Sequence, residues 1–522
     1  MRGGGAKTVR AWLIVGTALA AGLAPPARAQ APAPAAPLPS AGGAAAPATP
    51  PTPELPPTEV DALDDDAATA APAPEFVDPA FGPRYVIEEI VVRGNRRTKE
   101  ALIRAELGLT TGDAVLASDA RVEAARFRLL SLGHFVDVRL SVQRGHRRGG
   151  VVLVVEVEER GALVINELYP STSAATAFWG GADVSDTNFL GRGINLGAGV
   201  VASTKPIVLN AERGLGLRLH GTVPERPRGF GLSATALYND GSEFYRLSGN
   251  DDDADPGRFT SVNTRRAGGV VGANRTLTHA LRAGLDLRGE SVDARLPPQR
   301  ARTFPDGSTA PIDFDVRDGA SRVATAAVTL DYDTRSDPVL PRSGVRVVGT
   351  VELGVPAVSS YTYAKGLVQA SLYAKMPRGH ALGIHLLGGA IVGDAPYFDR
   401  FFIGDLNLLL PRRALGMNFS TLPSRNLLDT SIAGHRYDDY AARALVEYAI
   451  PVWRRKGLVY GGDLFAAVGL LGMASDGDLS PPGGLTWSKL PIDLTGDLGL
   501  RLDTYVGIFT ISIANALSRS SF

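Results

Sequence analysis

The chain has 522 residues, no cysteine, and 54 basic residues balanced by 54 acidic ones, so its formal net charge is zero. A neutral chain gives no electrostatic support for nucleic-acid binding, and a chain without cysteine is not a disulfide-stabilised secreted domain. No run of 18 or more apolar residues follows the N-terminal region, so no transmembrane helix is predicted.

Residues 1–29 are predicted to be a signal peptide. Three basic residues within the first ten precede a short apolar stretch, and Ala27 and Ala29 occupy the small-residue positions that favour cleavage before Gln30. A membrane anchor is the alternative, but the apolar stretch is short and prolines follow it. The signal predicts export to the cell envelope.

Residues 30–83 are mostly alanine and proline, a composition that cannot bury a core. We therefore expect a disordered or polyproline-like linker. An acidic patch lies near its middle and consists of Asp61, Asp64, Asp65 and Asp66. The patch is interpreted as part of a solvated tether, with binding to a partner as the alternative.

Residues 84–160 predict one small α+β domain with the order β-α-α-β-β. The first alternating run ends in the turn signal Gly94-Asn95. Thr98 and Ser118 stand where they would cap the two helices. Two further strand patterns then flank a basic turn.

This segment resembles a POTRA (polypeptide-transport-associated) domain over nearly its whole length. The matching residues are Ile90, Gly94, Asn95, Thr98, Gly133, Phe135, Asp137, Val138, Val157, Glu158 and Glu159. Only one copy is present, whereas bacterial assembly factors of this family usually carry several.

Residues 161–522 show alternation with a period of two. In the stretch PIDLTGDLGLRLD, leucines occupy one face and charged residues the other, so a sheet buried on both faces is excluded. A soluble sandwich and a membrane barrel both fit such strands. The signal peptide and the persistence of the pattern without a helical layer favour the barrel.

The fold class predicted is mainly β, a transmembrane antiparallel β-barrel preceded by one periplasmic α+β POTRA domain. Fifteen strand-like runs are recognisable between residues 162 and 517. Because bacterial single-chain barrels usually have even strand numbers, about sixteen strands are predicted.

Four motifs in the barrel region resemble the BamA/TamA family of outer-membrane assembly barrels. They are DTNFLGRG, DTRSDPVLPRSG, RFFIGD and ALVEYAIPV, which follow one another in the family's order. The residues carrying the first three are Asp186, Asn188, Gly191, Asp333, Arg335, Pro341, Gly344 and Gly404.

The resemblance implies a long loop that folds back into the barrel and places an arginine against an acidic group on the wall. Arg413 stands where that arginine is expected, with Arg412 one register away. The family's usual acid is replaced by Ala467, so Asp463 or Glu447 is predicted as the partner, because the period of two turns both side chains into the lumen. The alternative is that both arginines are free in a wet lumen.

The predicted loop lock departs from the family pattern, since Ala414 and Leu415 replace the glycine and aromatic residue that follow the arginine. The terminal residue Phe522 matches an outer-membrane assembly signal. No zinc-type histidine pair, nucleophile elbow or phosphate-binding loop is recognised, so no metal, cofactor or enzymatic activity is predicted.

By resemblance, the expected function is insertion or translocation of proteins at the outer membrane of a Gram-negative-type cell, with the POTRA domain and linker in the periplasm. Expected partners are the lipid bilayer, unfolded outer-membrane or secreted polypeptides, and other envelope assembly proteins, with no nucleic acid. Two alternatives remain open: a two-partner-secretion-type pore for one dedicated substrate, and a passive structural barrel.

Overall fold

The computed structural model describes residues 85–115, 120–173, 175–225, 229–250, 253, 255–406, 413–419, 424–425, 431–432, 437–454, 457–480 and 492–516. The predicted signal peptide, the linker and the residues Ser118, Arg412 and Phe522 lie outside this part of the chain.

The first domain is a four-stranded sheet covered on one face by two helices. In chain order the elements are β1 (Tyr85–Arg93), α1 (Glu100–Leu107), β2 (Ala114–Val115), α2 (Ala120–Ser131), β3 (Phe135–Arg144) and β4 (Gly150–Glu159). The strand order is β2-β1-β4-β3, with β1 parallel to β4 and β3 antiparallel to β4. The predicted β-α-α-β-β order is present, with one additional short strand.

The helices lie on this sheet because each has an apolar stripe. Ile103 and Leu107 of α1 are fully buried against strand residues such as Leu153, which is 1% exposed. Burial of each such side chain contributes roughly 1.5–3 kcal/mol before the loss of conformational entropy is counted. Gly108 ends α1 in the left-handed conformation with φ of 60°.

The second domain is a nearly closed antiparallel barrel of fifteen strands, each paired with the next along the sheet. In chain order they are β5 (Leu163–Leu168), β6 (Trp179–Phe189), β7 (Ile194–Ser203), β8 (Leu215–Val223), β9 (Gly231–Arg246), β10 (Phe259–Thr276), β11 (Leu281–Arg295), β14 (Gly319–Asp333), β15 (Gly344–Gly354), β16 (Tyr363–Lys375), β17 (Ala381–Gly393), β22 (Tyr440–Arg454), β23 (Val459–Ala474), β24 (Ile492–Thr504) and β25 (Gly507–Ala516).

Short elements occupy the connections between barrel strands. They are β12 (Ala301–Thr303), β13 (Thr309–Pro311), β18 (Phe401–Phe402), α3 (Ile403–Leu406), β19 (Ser424–Arg425), β20 (Ser431–Ile432), β21 (Tyr437–Asp438), α4 (Asp476–Leu479) and three 3₁₀ turns, Pro256–Arg258, Pro377–Gly379 and Tyr397–Asp399. Within the described ranges, none of the helices has the length and apolar character needed to cross a membrane.

The alternation read from the sequence separates the two faces of the barrel wall. On β11, Leu285 and Leu287 point outward and are 47% and 50% exposed, whereas Glu290 points inward and is 5% exposed. Glu447 and Asp463 are also buried on the inner side, as predicted. Such a wall presents apolar side chains to lipid and polar side chains to the lumen.

The two ends of the barrel differ. Most turns at the end nearest the POTRA domain are short, and the longer connections leave from the opposite end. The connection after β17 is the longest of these, and the described part of it packs inside the wall.

Candidate functional site: the POTRA joint, the lumenal loop and the barrel seam

The turn between β6 and β7 contacts the POTRA domain directly. The carbonyl oxygen of Gly191 accepts a hydrogen bond of 2.9 Å from the amide of Lys99. The side chain of Asn188 donates to the hydroxyl of Thr98 at 2.8 Å and accepts from the amide of Gly193 at 2.9 Å. The predicted capping role of Thr98 is wrong: α1 begins after Lys99 without a side-chain cap, because the Thr98 hydroxyl is used at this joint.

This turn requires glycine. Gly191 has a φ of +70°, and a Cβ there would lie 2.1 Å from the carbonyl oxygen of Arg97. Asp186 stabilises the approach to the turn by accepting the amide of Asn188 at 2.9 Å. The motif residues Asp186, Asn188 and Gly191 therefore form a docking turn for the POTRA domain.

Glu159, the last residue of β4, holds the segment that precedes α1. Its carboxylate accepts the amides of Arg97 at 3.0 Å and Thr98 at 2.7 Å. Burial raises the pKa of Glu159, but hydrogen bonds from the Thr98 side chain and these backbone amides outweigh burial and hold the pKa below its ordinary value. Asn95 supports the same segment by donating to the carbonyl of Thr98 at 3.1 Å.

The other predicted POTRA residues have structural roles. Gly94 has a φ of +89°, and a Cβ there would lie 2.0 Å from the carbonyl oxygen of Val157. Gly133 follows α2 in the left-handed region with φ of +72°. Phe135 is 2% exposed within the domain core.

An ion pair joins the domain boundary to the last barrel strands. Arg160 donates two hydrogen bonds to Asp503 of β24, at 2.6 and 2.8 Å, and the two side chains are only 5% and 10% exposed. The guanidinium also lies 5.1 Å from the ring centroid of Tyr460. A two-pronged contact of this kind fixes orientation as well as charge.

The lumenal loop is anchored to the wall by an acid. Asp399 accepts hydrogen bonds from Arg288 at 2.7 Å and from the Tyr363 hydroxyl at 2.8 Å, and its backbone carbonyl accepts from Lys365 at 2.7 Å. Its side chain is 8% exposed. The loop thus carries the carboxylate, and the wall carries the cations.

The neighbouring loop residue Phe398 extends this anchor. The guanidinium of Arg266 lies 3.8 Å from the Phe398 ring centroid and donates at 2.7 Å to Glu290. Glu290 also pairs with Arg288, so both arginines are held in place by one wall carboxylate. Because Glu290 holds both arginines, the loop packs against wall side chains whose orientation is already fixed.

The predicted pairing of Arg413 with Glu447 or Asp463 is wrong. Arg413 pairs instead with Asp405 of its own loop, with Nε 2.9 Å from the carboxylate, and donates at 2.8 Å to the carbonyl of Phe398. Asp405 is eight residues away in the chain, so Arg413 closes the loop on itself. It does not tie the loop tip to the wall.

Glu447 and Asp463 have partners on the wall. Glu447 accepts from Arg501 at 3.1 and 2.8 Å, and Asp463 pairs with Arg342 from the turn between β14 and β15. The prediction failed because each of these carboxylates is already paired with another arginine.

The loop tip lies against β6 to β9. A tight turn closed by Ala414 and Met417 places Leu415 and Gly416 at φ values of 50° and 82°, which suits a two-residue turn of the mirror-image type. The Leu415 carbonyl accepts from the side chain of Asn239 at 2.9 Å. This explains the altered sequence after Arg413: a compact turn replaces the family's glycine and aromatic pair.

Two further contacts fix the tip. The ring of Phe419 stacks on Trp179 of β6 with centroids 5.6 Å apart. Glu243 of β9 accepts from Asn418 at 3.1 Å and from the Tyr437 hydroxyl at 3.0 Å. The loop therefore braces the wall formed by the first barrel strands.

The DTR motif builds the turn between β14 and β15. Arg335 is held by Asp333 through contacts of 3.0 and 2.8 Å. Gly344 has a φ of +102°, and a Cβ there would lie 2.3 Å from the carbonyl oxygen of Thr334, so both the backbone angle and the close approach favour glycine. Pro341 is buried in the same turn. Gly404, from the RFFIGD motif, is buried in α3 at the base of the lumenal loop.

The barrel has a weak seam between β5 and β25, which form the two edges of the sheet. With fifteen strands in antiparallel order, these two strands run in the same direction. Among the described residues, one backbone hydrogen bond joins β5 to the last hairpin, from the Ile165 amide to the Val506 carbonyl at 2.8 Å. Within the described strands, neighbouring strands elsewhere share continuous ladders, so opening the barrel between β5 and β25 would break the fewest described backbone hydrogen bonds.

The seam strand β5 is held from the inside by Asp183 of β6. This carboxylate is completely buried and accepts from Asn166 at 2.7 Å and from Arg218 of β8 at 2.9 Å. These contacts stabilise β5 on the side that pairs with β6, whereas one described backbone hydrogen bond holds its other edge.

Sequence reasoning missed Asp399, Arg160 and Asp503 as functional residues. Two signals were available: Asp399 immediately precedes the RFFIGD motif, and Arg160 stands at the predicted boundary between domains. Arg288 and Glu290 lie on the polar face of the alternating strand β11, but their partner in the loop has no local sequence signature.

No group of three or more potential metal ligands was found among the described residues. Many described polar side chains of the lumen form arginine–carboxylate pairs and hydrogen bonds. The arrangement docks a POTRA domain on the barrel and packs a loop inside it.

A POTRA domain docked on an outer-membrane-type barrel with an inserted loop defines a class of envelope protein. The Omp85 superfamily domain matches residues 188–473, more than half of the chain. Residues 85–160 match the POTRA family described as the surface antigen variable number repeat. The chain belongs to the Omp85 superfamily, which confirms the resemblance read from its motifs.

Solved structures resemble this chain at low sequence identity, and the first of those named here has the same fold. CdiB from Escherichia coli is 11% identical, with a TM-score of 0.52 over 83% of this chain and 73% of that chain. BamA from Haemophilus ducreyi lacking POTRA domains 1-3 is 16% identical, with a TM-score of 0.43 over 83% and 81%. CdiB from Acinetobacter baumannii is 10% identical, with a TM-score of 0.43 over 80% and 68%. No curated protein sequence matches the chain.

Proposed function

We propose that this protein inserts or translocates polypeptides at the outer membrane, with its POTRA domain in the periplasm. Unfolded outer-membrane or secreted polypeptides would be its substrates. The observation that carries the proposal is the seam between β5 and β25, which lies beside the docked POTRA domain and is bridged by one described backbone hydrogen bond.

The POTRA sheet supports a role in substrate binding. Its edge strand β3 (Phe135–Arg144) pairs with β4 on one side, and no described strand pairs with its other side. An exposed edge can bind an extended polypeptide by adding a strand to the sheet. Substrate would then be held within reach of the barrel seam.

The contacts between the two domains support transfer of a polypeptide substrate from the POTRA domain to the barrel. Gly191 and Asn188 dock on the segment before α1, and Arg160 pairs with Asp503 on β24, the strand next to the seam edge β25. These contacts position the POTRA domain against both ends of the barrel sheet. Opening of the seam would expose strand edges that pair with an incoming strand.

Depletion of the protein followed by quantitation of the outer-membrane and secreted proteomes tests the proposal. Loss of many outer-membrane barrels is the expected result for an insertion factor. Loss of one exported protein would assign it to dedicated secretion. Unchanged proteomes would contradict the proposal and favour a passive structural barrel.

A further inference from the structure

A partly open groove lies at the end of the POTRA domain that faces away from the barrel. It has a volume of about 680 Å³ and runs between the sheet and the start of α2. The floor is apolar and includes Ile87, Val151 and Leu153, whereas Val142 at one side is 49% exposed. The helices cover the rest of this sheet face but stop short of this end.

The rim of the groove is basic. Arg144, Arg147 and Arg148 line it and are exposed. Within the described ranges, none of the three guanidinium groups is paired with a carboxylate. The nearby acid, Glu88, instead accepts the backbone amides of His146 and Arg147, at 2.7 and 2.9 Å.

An occupant of this groove needs apolar side chains for the floor and carboxylates for the rim. The linker supplies both in the stretch from Glu59 to Asp66, EVDALDDD, where Val60 and Leu63 lie among five acids. The whole linker, residues 30–83, contains eight acidic residues and no lysine or arginine. Its charge is thus complementary to the rim throughout.

The position of the linker favours the same occupant. Tyr85, the first described residue, itself lines the groove, so the linker joins the domain at the groove wall. Asp66 is 19 residues from Tyr85, and a Pro-rich chain of that length can span up to roughly 60 Å. The reach is therefore sufficient for the segment to return to the groove, and binding within one chain gains from the effective concentration that a covalent tether gives.

We propose that the linker segment Glu59–Asp66 binds this groove, with Val60 and Leu63 on the apolar floor and the aspartates against Arg144, Arg147 and Arg148. The acidic patch is then an intramolecular ligand of the POTRA domain. The binding does not depend on which polypeptide the barrel handles, so it stands or falls separately from the proposed function.

Cysteine cross-linking tests this directly because the natural chain has no cysteine. The variant L63C/V142C pairs the linker with the groove, and L63C/A101C is its matched control, since Ala101 is exposed on α1 near the other end of the domain. Both full-length mature proteins are purified in detergent without substrate and treated with a short bis-maleimide. Tryptic peptides joining the linker to either site are then quantified.

We expect the groove pair to cross-link at least about tenfold faster than the control at low salt. Changing Asp61, Asp64, Asp65 and Asp66 to asparagine should reduce the rate to that of the control, and a salt concentration of about 0.5 M NaCl should slow it because salt screens exposed charge pairs. Equal rates for the two pairs would overturn the proposal. Cross-links formed mainly between molecules would also overturn it, and would assign the groove to a second copy.

Discussion

At the scale of single residues, the loop is held by Asp399 more than by Arg413. Asp399 is 8% exposed and meets three donors of the wall, whereas Asp405, the partner of Arg413, is 36% exposed and belongs to the same loop. Removing one member of a buried ion pair costs about 3–5 kcal/mol. The Asp405–Arg413 pair has an exposed carboxylate and an arginine side chain that is 16% exposed, so its loss should cost less than the loss of Asp399, because water can replace Asp405 as the partner of Arg413.

We therefore predict that D399A releases the loop and D405A does not. Hydrogen exchange of the amides from Tyr397 to Phe402 should accelerate more than about a hundredfold in D399A, because at least about 3 kcal/mol of anchoring is lost. D405A is the matched control and should change exchange less than about tenfold. A larger effect in D405A would show that Arg413 is the true lock.

Glu159 should make the stability of the contact between the POTRA domain and the barrel depend on pH. Its folded-state pKa is lowered, so the stability it contributes is present above the ordinary glutamate pKa of about 4.3 and is lost as pH falls through the lowered value. In the natural protein, exchange of the Arg97 and Thr98 amides, corrected for intrinsic rates, should accelerate below about pH 4.

The variant E159Q should remove this pH dependence. Above about pH 5 its exchange should be about tenfold faster than that of the natural protein, because hydrogen bonds to a charged acceptor contribute about 1.5 kcal/mol or more, and at the lowest pH the two proteins should converge. E156Q, an exposed position on the same strand, is the control and should behave as the natural protein does. A pH response retained in E159Q would exclude Glu159 as its source.

The sequence predicted the inward direction of Glu447 and Asp463 but not their partners. Direction follows from the alternation of a strand, which is local. Partners depend on which strands and turns come together, and Arg342 and Arg501 are far from these acids in the chain. The conformation of a long loop does not follow from the alternation of side chains along a strand. The contacts of Asp399, which lies in such a loop, were missed for this reason.

At the scale of elements, the turn after β6 is the clearest structural device. We predict that G191A separates the POTRA domain from the barrel, since its Cβ would lie 2.1 Å from the Arg97 carbonyl. Trypsin cleavage after Arg160, whose side chain is 5% exposed, should accelerate at least about tenfold, because the buried bond becomes accessible.

A matched control separates this clash from backbone strain. Gly112 has a φ of +96°, and a Cβ placed there would have no neighbouring atom within 4 Å, so G112A introduces comparable strain without touching the joint. Equal cleavage rates in G191A and G112A would show that the joint does not depend on the turn.

The strands themselves were predicted well. Each of the fifteen alternating runs became one barrel strand, because alternation between lipid and lumen is imposed along every strand. The sixteenth strand was added from the preference for even numbers, and the described residues contain fifteen. The preference expresses how barrels usually close, so it carries no information about any particular stretch of this chain.

At the scale of the whole molecule, three contacts surround one weak seam. The POTRA domain is docked at the turn after β6 and at Asp503 on β24, and the loop tip braces β6 to β9 from inside. The described edge of β5 is joined to the last hairpin by one backbone hydrogen bond. We propose that this seam opens when the protein handles a polypeptide.

Closing the seam covalently is the most direct test of that claim. In cells depleted of the natural protein, the variant I165C/V506C would be produced and its two cysteines, the only ones in the chain, cross-linked by oxidation. A444C/L470C, which joins the continuously paired strands β22 and β23, is the control. The account predicts that oxidised I165C/V506C fails to restore the affected outer-membrane or secreted proteins, that reduction restores them, and that the control works in both states. Full activity of the cross-linked seam variant would contradict it.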